Sequence, residues 1–404
     1  MDNISGASAV DTISRTTNFS DRRVCVDACD RYDIDRLDAI IEKQCRELGL
    51  SEIITPGCSV VIKPNLVIKR RPEEATTTHP EVVAAVIRAV KRRGAGSVTI
   101  AESSGGLYNK AVMSAIYQTC GITEICGREG AELNTSDFTS IPLTHPDAVL
   151  CHQFGVITPI VNADMLINIA KLKTHCMTGL SGAVKNLFGS MPGLSKPEMH
   201  CQYPDKSDFQ QMLVDLCTLV RPQISFIDAI ECMEGDGPSG GSPRFMGAVI
   251  GGRNPFAMDI VACTLINMNP DKVFMLRHGM ERGLCPRSLD EVNLIGSIDG
   301  LIVKDFVHPR SKDTDFLDFL PKFLRPAGRK IEGLLAPRPV IIKAKCVGCG
   351  KCAESCPQHT INIANKKADI DYTNCIRCYC CHEMCPVKAI DVRRKFIFNY
   401  DRKN

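Results

Sequence analysis

The plainest chemistry in this chain lies in two runs of cysteine near its end. "CVGCGKCAESCP" at 346–357 places Cys346, Cys349, Cys352 and Cys356 in a CxxCxxCxxxCP pattern, and "CIRCYCCHEMCP" at 375–386 repeats it with Cys375, Cys378, Cys381 and Cys385. Three thiolates at this spacing can cap three irons of a cubane, and the fourth, just before the proline, points to the neighbouring cluster. The spacing therefore predicts two [4Fe–4S] clusters with interleaved ligands. One is held by Cys346, Cys349, Cys352 and Cys385, the other by Cys375, Cys378, Cys381 and Cys356.

Paired CxxC units also make tetrahedral zinc sites, but zinc takes four ligands per ion and has no use for the third CxxC step. Cys380, beside Cys381, falls outside the spacing and reads as a spectator, with a slipped ligand as the alternative. "VIIKAK" before the first run and "INIANKKADIDY" between the runs show β-branched alternation, expected of short strands that cover clusters. "HTINI" and "KAIDV" follow the two prolines in matching places, as in a duplicated unit. On these residues the segment at about 340–395 resembles bacterial-type two-cluster ferredoxin domains, which implies a small α+β fold.

The elements that must position this chemistry are many, because 404 residues exceed the usual single domain. The composition, 44% hydrophobic and 24% charged, is that of a globular protein, and no apolar run approaches the ~20 residues of a membrane span. "MDNISGASAVDTISRTTNFSDRR" lacks the apolar stretch of a secretory signal, so a cytoplasmic location is expected and the thiols should start reduced. The thirteen cysteines from Cys25 to Cys285 show no CxxC pairing and read as small core residues.

Charge divides at the same boundary. Residues 340–404 hold 12 Lys and Arg against 6 Asp and Glu, so the tail is basic on a mildly acidic body. The excess is too small, and too poor in interleaved aromatics, to indicate nucleic acid. It suits an acidic partner or docking on the chain's own body.

The expected division is a flexible segment at 1–21, an α/β domain at 22–303, a junction at 304–339 and the ferredoxin domain at 340–404. Within 22–303, apolar strand-like runs such as "RVCVDAC", "SVVIKPNLV", "SVTIAESSGG", "ADMLINIAKLKT", "QISFIDAIE" and "GAVIGG" alternate with helical ones. This is βαβ grammar, and it predicts a parallel or mixed sheet with helices on both faces. Thr78 or His79 before Pro80 opens a helix that Gly94 closes. In the junction, prolines interrupt the chain, but "DFLDFLPKFL" is apolar enough to predict a short amphipathic helix packed on the body, with a membrane-surface helix as the alternative.

Ligands of such sheets bind beyond the carboxyl ends of the strands. The residues there are polar: Lys63 and Asn65 after "SVVI", Glu102 after "VTIA", Lys171, Lys173 and His175 after "LINIA", Lys185 and Asn186 in "SGAVKNLFG", and Asp236 in "EGDGPSGG". We expect Lys63, Asn65, Lys171, Lys185, Asn186 and Asp236 to bind an anionic group, and Lys173, His175 and Glu102 to be the catalytic candidates. Asp228 and Glu231 are further carboxylates. "SSGG" and "EGDGPSGG" are glycine-rich but match no Walker or Rossmann fingerprint, and no nicotinamide or flavin motif occurs.

"VIKPNLV", "THPEVVAAVI", "VTIAESSGG", "INIAKLKTHCMTGLSGAVKNLFG" and "EGDGPSGG" resemble the successive signature blocks of the domain of unknown function 362 family, in members with a C-terminal ferredoxin domain. The resemblance implies an architecture and no reaction. Two functions fit. In one, the chain is an oxidoreductase that moves electrons between its clusters and an anionic substrate on the body. In the other, it is a non-catalytic electron carrier, cluster-handling or redox-sensing module whose body binds another protein. Its partner is accordingly a redox protein or an anionic small molecule.

Overall fold

The computed structural model describes Ile13, residues 15–311 and residues 336–394. The helix expected in "DFLDFLPKFL" lies outside the described residues. The expectation of a flexible segment through residue 21 fails for its described part. Arg15 is buried, and its guanidinium donates to the carbonyls of Ile160 and Ala163, both at 2.6 Å, while Thr17 donates to Pro222. Three carbonyl acceptors for one planar cation pin the chain where composition alone suggests freedom.

The body is organised by a nine-stranded mixed sheet. Its strands are β1 (Arg23–Ala28), β2 (Ser59–Lys63), β3 (Ser97–Ile100) and β4 (Glu132–Leu133), then, after the separate hairpin β5 (Ser140–Thr144) and β6 (Gln153–Ile157), β7 (Met165–His175), β8 (Gly179–Ser181), β9 (Ile224–Glu234), β10 (Ser242–Gly252) and β11 (Asn293–Gly296). The order is β11-β1-β10-β9-β7-β2-β3-β4, with β8 folded back on the end of β7. From β9 to β4 every pair is parallel, whereas β10 is antiparallel to both its neighbours.

Side-chain alternation shows why this sheet is covered on both faces. Along β7, Met165, Ile167 and Ile169 join the core that contains the helices Ile34–Glu47 and Pro80–Arg92, while Leu166, Ala170 and Leu172 join the core of the helices Lys206–Val220 and Pro255–Leu265. A strand buried on both sides must be apolar in both phases, and β7 is buried along its whole length. The helix Pro80–Arg92 starts as its residues dictate, with His79 accepting from the Glu81 amide and proline at the first position.

The chain runs outward from β2 to β3 and β4, then returns to the other side of β2 with β7. Strand order therefore reverses between β2 and β7, and a crevice opens beyond their carboxyl ends. The tail packs over that end. Its strands β12 (Arg338–Ile341) and β15 (Ile390–Arg393) pair with each other, as do β13 (Ile361–Ala364) and β14 (Lys367–Ile370), and two one-turn helices, Lys351–Glu354 and Cys380–Glu383, follow the CxxC loops.

Candidate functional site

Beyond the reversal of strand order lies a cavity of about 930 Å³ with walls from both the body and the tail. Lys63 ends β2, fully buried, and its ammonium lies 2.5 Å from the Glu102 carboxylate that follows β3. Burial lowers the Lys63 pKa and raises that of Glu102, while the charge of each partner opposes the shift of the other. Gly189 lies against this pair, where a Cβ would collide with both charged groups.

Lys173, on β7, donates to the Asn65 side-chain oxygen at 2.7 Å and to the Thr76 carbonyl at 2.5 Å. Asn65 in turn donates to Asn186, and Asn186 to Asn168, each at 2.7 Å. These acceptors are all neutral, so burial drives the Lys173 pKa down to about 7.

Residues separated by more than a hundred positions thus meet in one hydrogen-bonded group at one sheet edge, but not all of them reach the cavity. Asn65, Glu102, His175, Lys185 and Asn186 line it, whereas Lys63 and Lys173 are not among its walls. Lys171 belongs elsewhere. Its ammonium is 2.9 Å from Asp228 and 2.9 Å from the Tyr32 hydroxyl, Tyr32 also donates to Asp228, and the Tyr32 ring stacks on His79 at 3.6 Å. With its charge already matched, Lys171 is not an anion-binding group of the cavity. Glu231 enters that network only through its amide, which donates to Tyr32.

Asp236 also differs from expectation. Its carboxylate pairs with Arg310 at 3.2 Å, and its carbonyl accepts from His382 of the tail at 2.8 Å. The glycine-rich run around it is a docking seat. Ser239 donates to the Glu383 carbonyl, Lys388 to the Gly241 carbonyl, and a Cβ on Gly240 would collide with the His382 ring. Arg70 adds a bond to the Cys385 carbonyl at 3.1 Å on the other side of the seam.

Two lining residues had no strand end to announce them. Lys196 and His200 lie on the helix Ser195–Gln202, and their i, i+4 spacing was the available sign of a shared face. The Lys196 ammonium contacts the Ser103 and Ser104 carbonyls, and burial lowers its pKa to about 7. His200 stacks on Phe209 at 4.2 Å, and burial takes its pKa to about 3. His175 accepts the Met177 amide at Nδ1, so in the neutral ring Nε2 carries the proton; that Nε2 has no hydrogen-bond partner.

In the tail, the eight thiols separate into two groups. Cys346, Cys349, Cys352 and Cys385 surround one small cavity, and Cys356, Cys375, Cys378 and Cys381 surround another. Amides of Ala368, Thr360 and Ala389 donate to the sulfurs of Cys346, Cys356 and Cys385 at 3.2–3.4 Å. Burial alone would raise the Cys346 pKa, but hydrogen bonds from the Ala368 and Gly348 amides and the charge of Lys367 outweigh it and lower the value. Among the described residues no three His, Cys, Asp or Glu side chains converge as for a single ion. The sulfurs stand around a volume instead, which fits a cluster. Cys380 is outside both groups, and Cys380 and Cys349 both line the large cavity.

An α/β body carrying a cysteine-rich tail with this donor set defines an iron–sulfur protein, and comparison with known sequences agrees. The model of the family described as Domain of unknown function (DUF362) matches residues 60–264, and that of a 4Fe-4S dicluster domain matches residues 338–386. The chain belongs to the DUF362 family. It is similar to a thylakoid-associated protein of Synechocystis sp., 29% identical over 284 residues, which are 69% of this chain and 84% of that one. Among solved structures, the lactate racemase apoprotein of Thermoanaerobacterium thermosaccharolyticum aligns with a TM-score of 0.38 at 12% identity, over 59% of this chain and 55% of that one. A protein of Thermotoga maritima aligns with a TM-score of 0.34 at 12% identity, over 58% and 59%. Among the described residues no helix is long and apolar enough to cross a membrane.

Proposed function

We propose that this chain transfers electrons through two [4Fe–4S] clusters to or from an anionic small molecule bound between its body and its tail. The observation that carries the reading is the shared cavity: Cys349, in the first cysteine set, and Lys185 and His175, at the sheet edge, line the same space. When bound, the clusters supply one-electron chemistry. Lys185 and Lys196 provide a positive field for the anion, and the His175 Nε2–H is a free donor. The interleaved ligand sets, Cys346, Cys349, Cys352 with Cys385 and Cys375, Cys378, Cys381 with Cys356, are supported by the two rings of sulfurs. This reading places the chain in the cytoplasm, where free thiols and clusters persist.

A second reading draws on the outer face of the tail. Val347, Ile363 and Val387 are exposed, and all three border the first ring of sulfurs. Such a patch suits a redox partner protein, with the chain as a carrier.

Anaerobic purification separates the parts. The protein should hold about eight irons and eight sulfides, and Cys356→Ala should lose the cluster of the second motif while keeping the first. A saturated preparation with only about four irons, or a Cys356→Ala variant that retains both clusters, contradicts the assignment. Mass spectrometry of the small molecules released on denaturation should find an anion in near-stoichiometric amount. Its absence, together with rapid electron exchange with partner proteins, selects the second reading.

A further inference from the structure

The walls of the cavity are not uniform. On one side Leu66 and Ile68, from the loop after β2, meet Val112, Ala115 and Ile116 of the helix Lys110–Thr119, whose i, i+3, i+4 spacing makes a continuous apolar stripe. Leu107 and Leu194 also line the cavity and are 55% and 54% exposed, large apolar side chains left open to water. A small hydrophilic anion would have no use for these surfaces.

Most polar groups on the other walls are already spent. The Asn65 and Asn186 side chains are joined to each other and to Lys173 and Asn168, and Glu102 is paired with Lys63. Two amides of the glycine-rich "SSGG" loop are already engaged. Its Ser103 amide is taken by the Gly189 carbonyl and its Gly105 amide by the Val67 carbonyl, both at 3.1 Å. What stays free includes the buried Ser103 hydroxyl, which has no partner among the described residues, and the exposed Lys69. Lys185 has no hydrogen bond or ion pair among the described residues and only the Phe188 face at 4.6 Å beneath it. His175 offers one N–H, and His200 has an unpartnered Nδ1. Glu383 is the tail carboxylate whose field reaches Lys173, Lys185 and Lys196, yet it lies within ion-pair distance of none of them among the described residues.

The Lys185 ammonium and the His175 N–H can each take one oxygen of a carboxylate, and the apolar wall opposite suits a hydrocarbon body. We propose that the cavity takes an apolar-bodied carboxylate, such as a medium-chain or arylalkanoic acid anion. Its carboxylate lies on Lys185 and His175, and its hydrocarbon runs along Ile68, Val112 and Ile116. This assignment rests on the reading of the cavity as the substrate site and names the class of molecule that it holds.

Calorimetric titration of the oxidised holoprotein without oxygen tests it, using acetate, butyrate, octanoate, octanol and octyl phosphate as probes. Octanoate should bind, with Kd tightening about fourfold for each methylene added between butyrate and octanoate. Octanol should bind at least ten times more weakly. Lys185→Met should bring octanoate down to the level of octanol with both cluster spectra intact. If that variant loses its clusters, Val112→Asp provides the check from the opposite wall, and there octanoate binding should fall at least tenfold.

Equal affinity for octanol and octanoate, no gain with chain length, or octyl phosphate binding more tightly than octanoate overturns the assignment. The outcome is separable from the electron-transfer reading. Octanoate binding by a protein whose clusters exchange electrons with no small molecule would remove that reading and keep the ligand class. Electron exchange with a co-purified molecule, in a protein that ignores octanoate, would do the reverse.

Discussion

Lys171 and Lys185 both follow from the same stretch of sequence, and both lie close to the end of β7, yet the fold treats them oppositely. Lys171 is wholly buried against Asp228 and Tyr32, so each of its obvious interactions is made within the body. Lys185 faces the cavity with a phenyl ring and no acceptor. Between them, Lys173 is buried on neutral oxygens alone. The difference teaches where to look for function: charge matched inside the body holds elements together, and charge left unmatched at the seam with the tail is available to a ligand.

Substitution at the matched site should give the largest effect on stability. Lys171→Met leaves Asp228 charged and buried without its partner, and should destabilise the body by about 3–5 kcal/mol in urea denaturation. Lys185→Met removes an unmatched, desolvated charge and should cost less than about 1 kcal/mol, or even stabilise the chain. Equal losses for the two variants would erase the contrast.

The pH dependence of anion binding sharpens it further. Burial lowers the Lys196 pKa to about 7, so in the free cavity this ammonium is charged below that pH and neutral above it. An anion favours the charged form and raises the pKa on binding. Proton uptake should therefore accompany binding near pH 7, and affinity should fall by up to about tenfold per pH unit above it. Octanoate titrations in buffers of different ionisation enthalpy measure the uptake directly. Affinity that is flat from pH 6 to 9 would exclude Lys196 from the site.

Much of this arrangement was legible in the sequence, and unevenly so. The cysteine spacing is dictated by the geometry of a metal cluster, which is why two twelve-residue runs suffice to suggest it. Two strand ends were readable because apolar runs stop abruptly near Lys63 and Glu102, whereas β7 continues past the apolar "LINIA" through Lys171 and Lys173 to His175. What sequence could not give is the partner of each charge. Lys171 and Lys173 alternate identically along β7, and only Tyr32 and Asp228, from distant elements, separate their roles. Lys196 and His200 were missed because they come from a helix with no adjoining strand. The run "EGDGPSGG" misled in another way: its glycines permit close approach, but by His382 of the tail rather than by a ligand. Arg15 shows the same limit at the other end of the chain, where a polar composition hides a buried anchor.

The smallest expected effect lies within the tail, where the two rings of sulfurs differ by one extra thiol. Cys380 stands beside Cys381 and two residues from Cys378, both in the second ring, and no corresponding cysteine stands beside Cys352 in the first. A Cys380 thiol donating to the Cys378 sulfur would withdraw charge from the cluster and make the reduced state easier to reach. Cys380→Ala should therefore lower the potential of the second cluster, leave that of the first unchanged, and keep all eight irons. Anaerobic redox titration followed by electron paramagnetic resonance resolves the two. Loss of a whole cluster would instead identify Cys380 as a ligand, displacing Cys381 from that set. Unchanged potentials with full iron content would make it a spectator, and the two halves of the tail would then be equivalent in this respect.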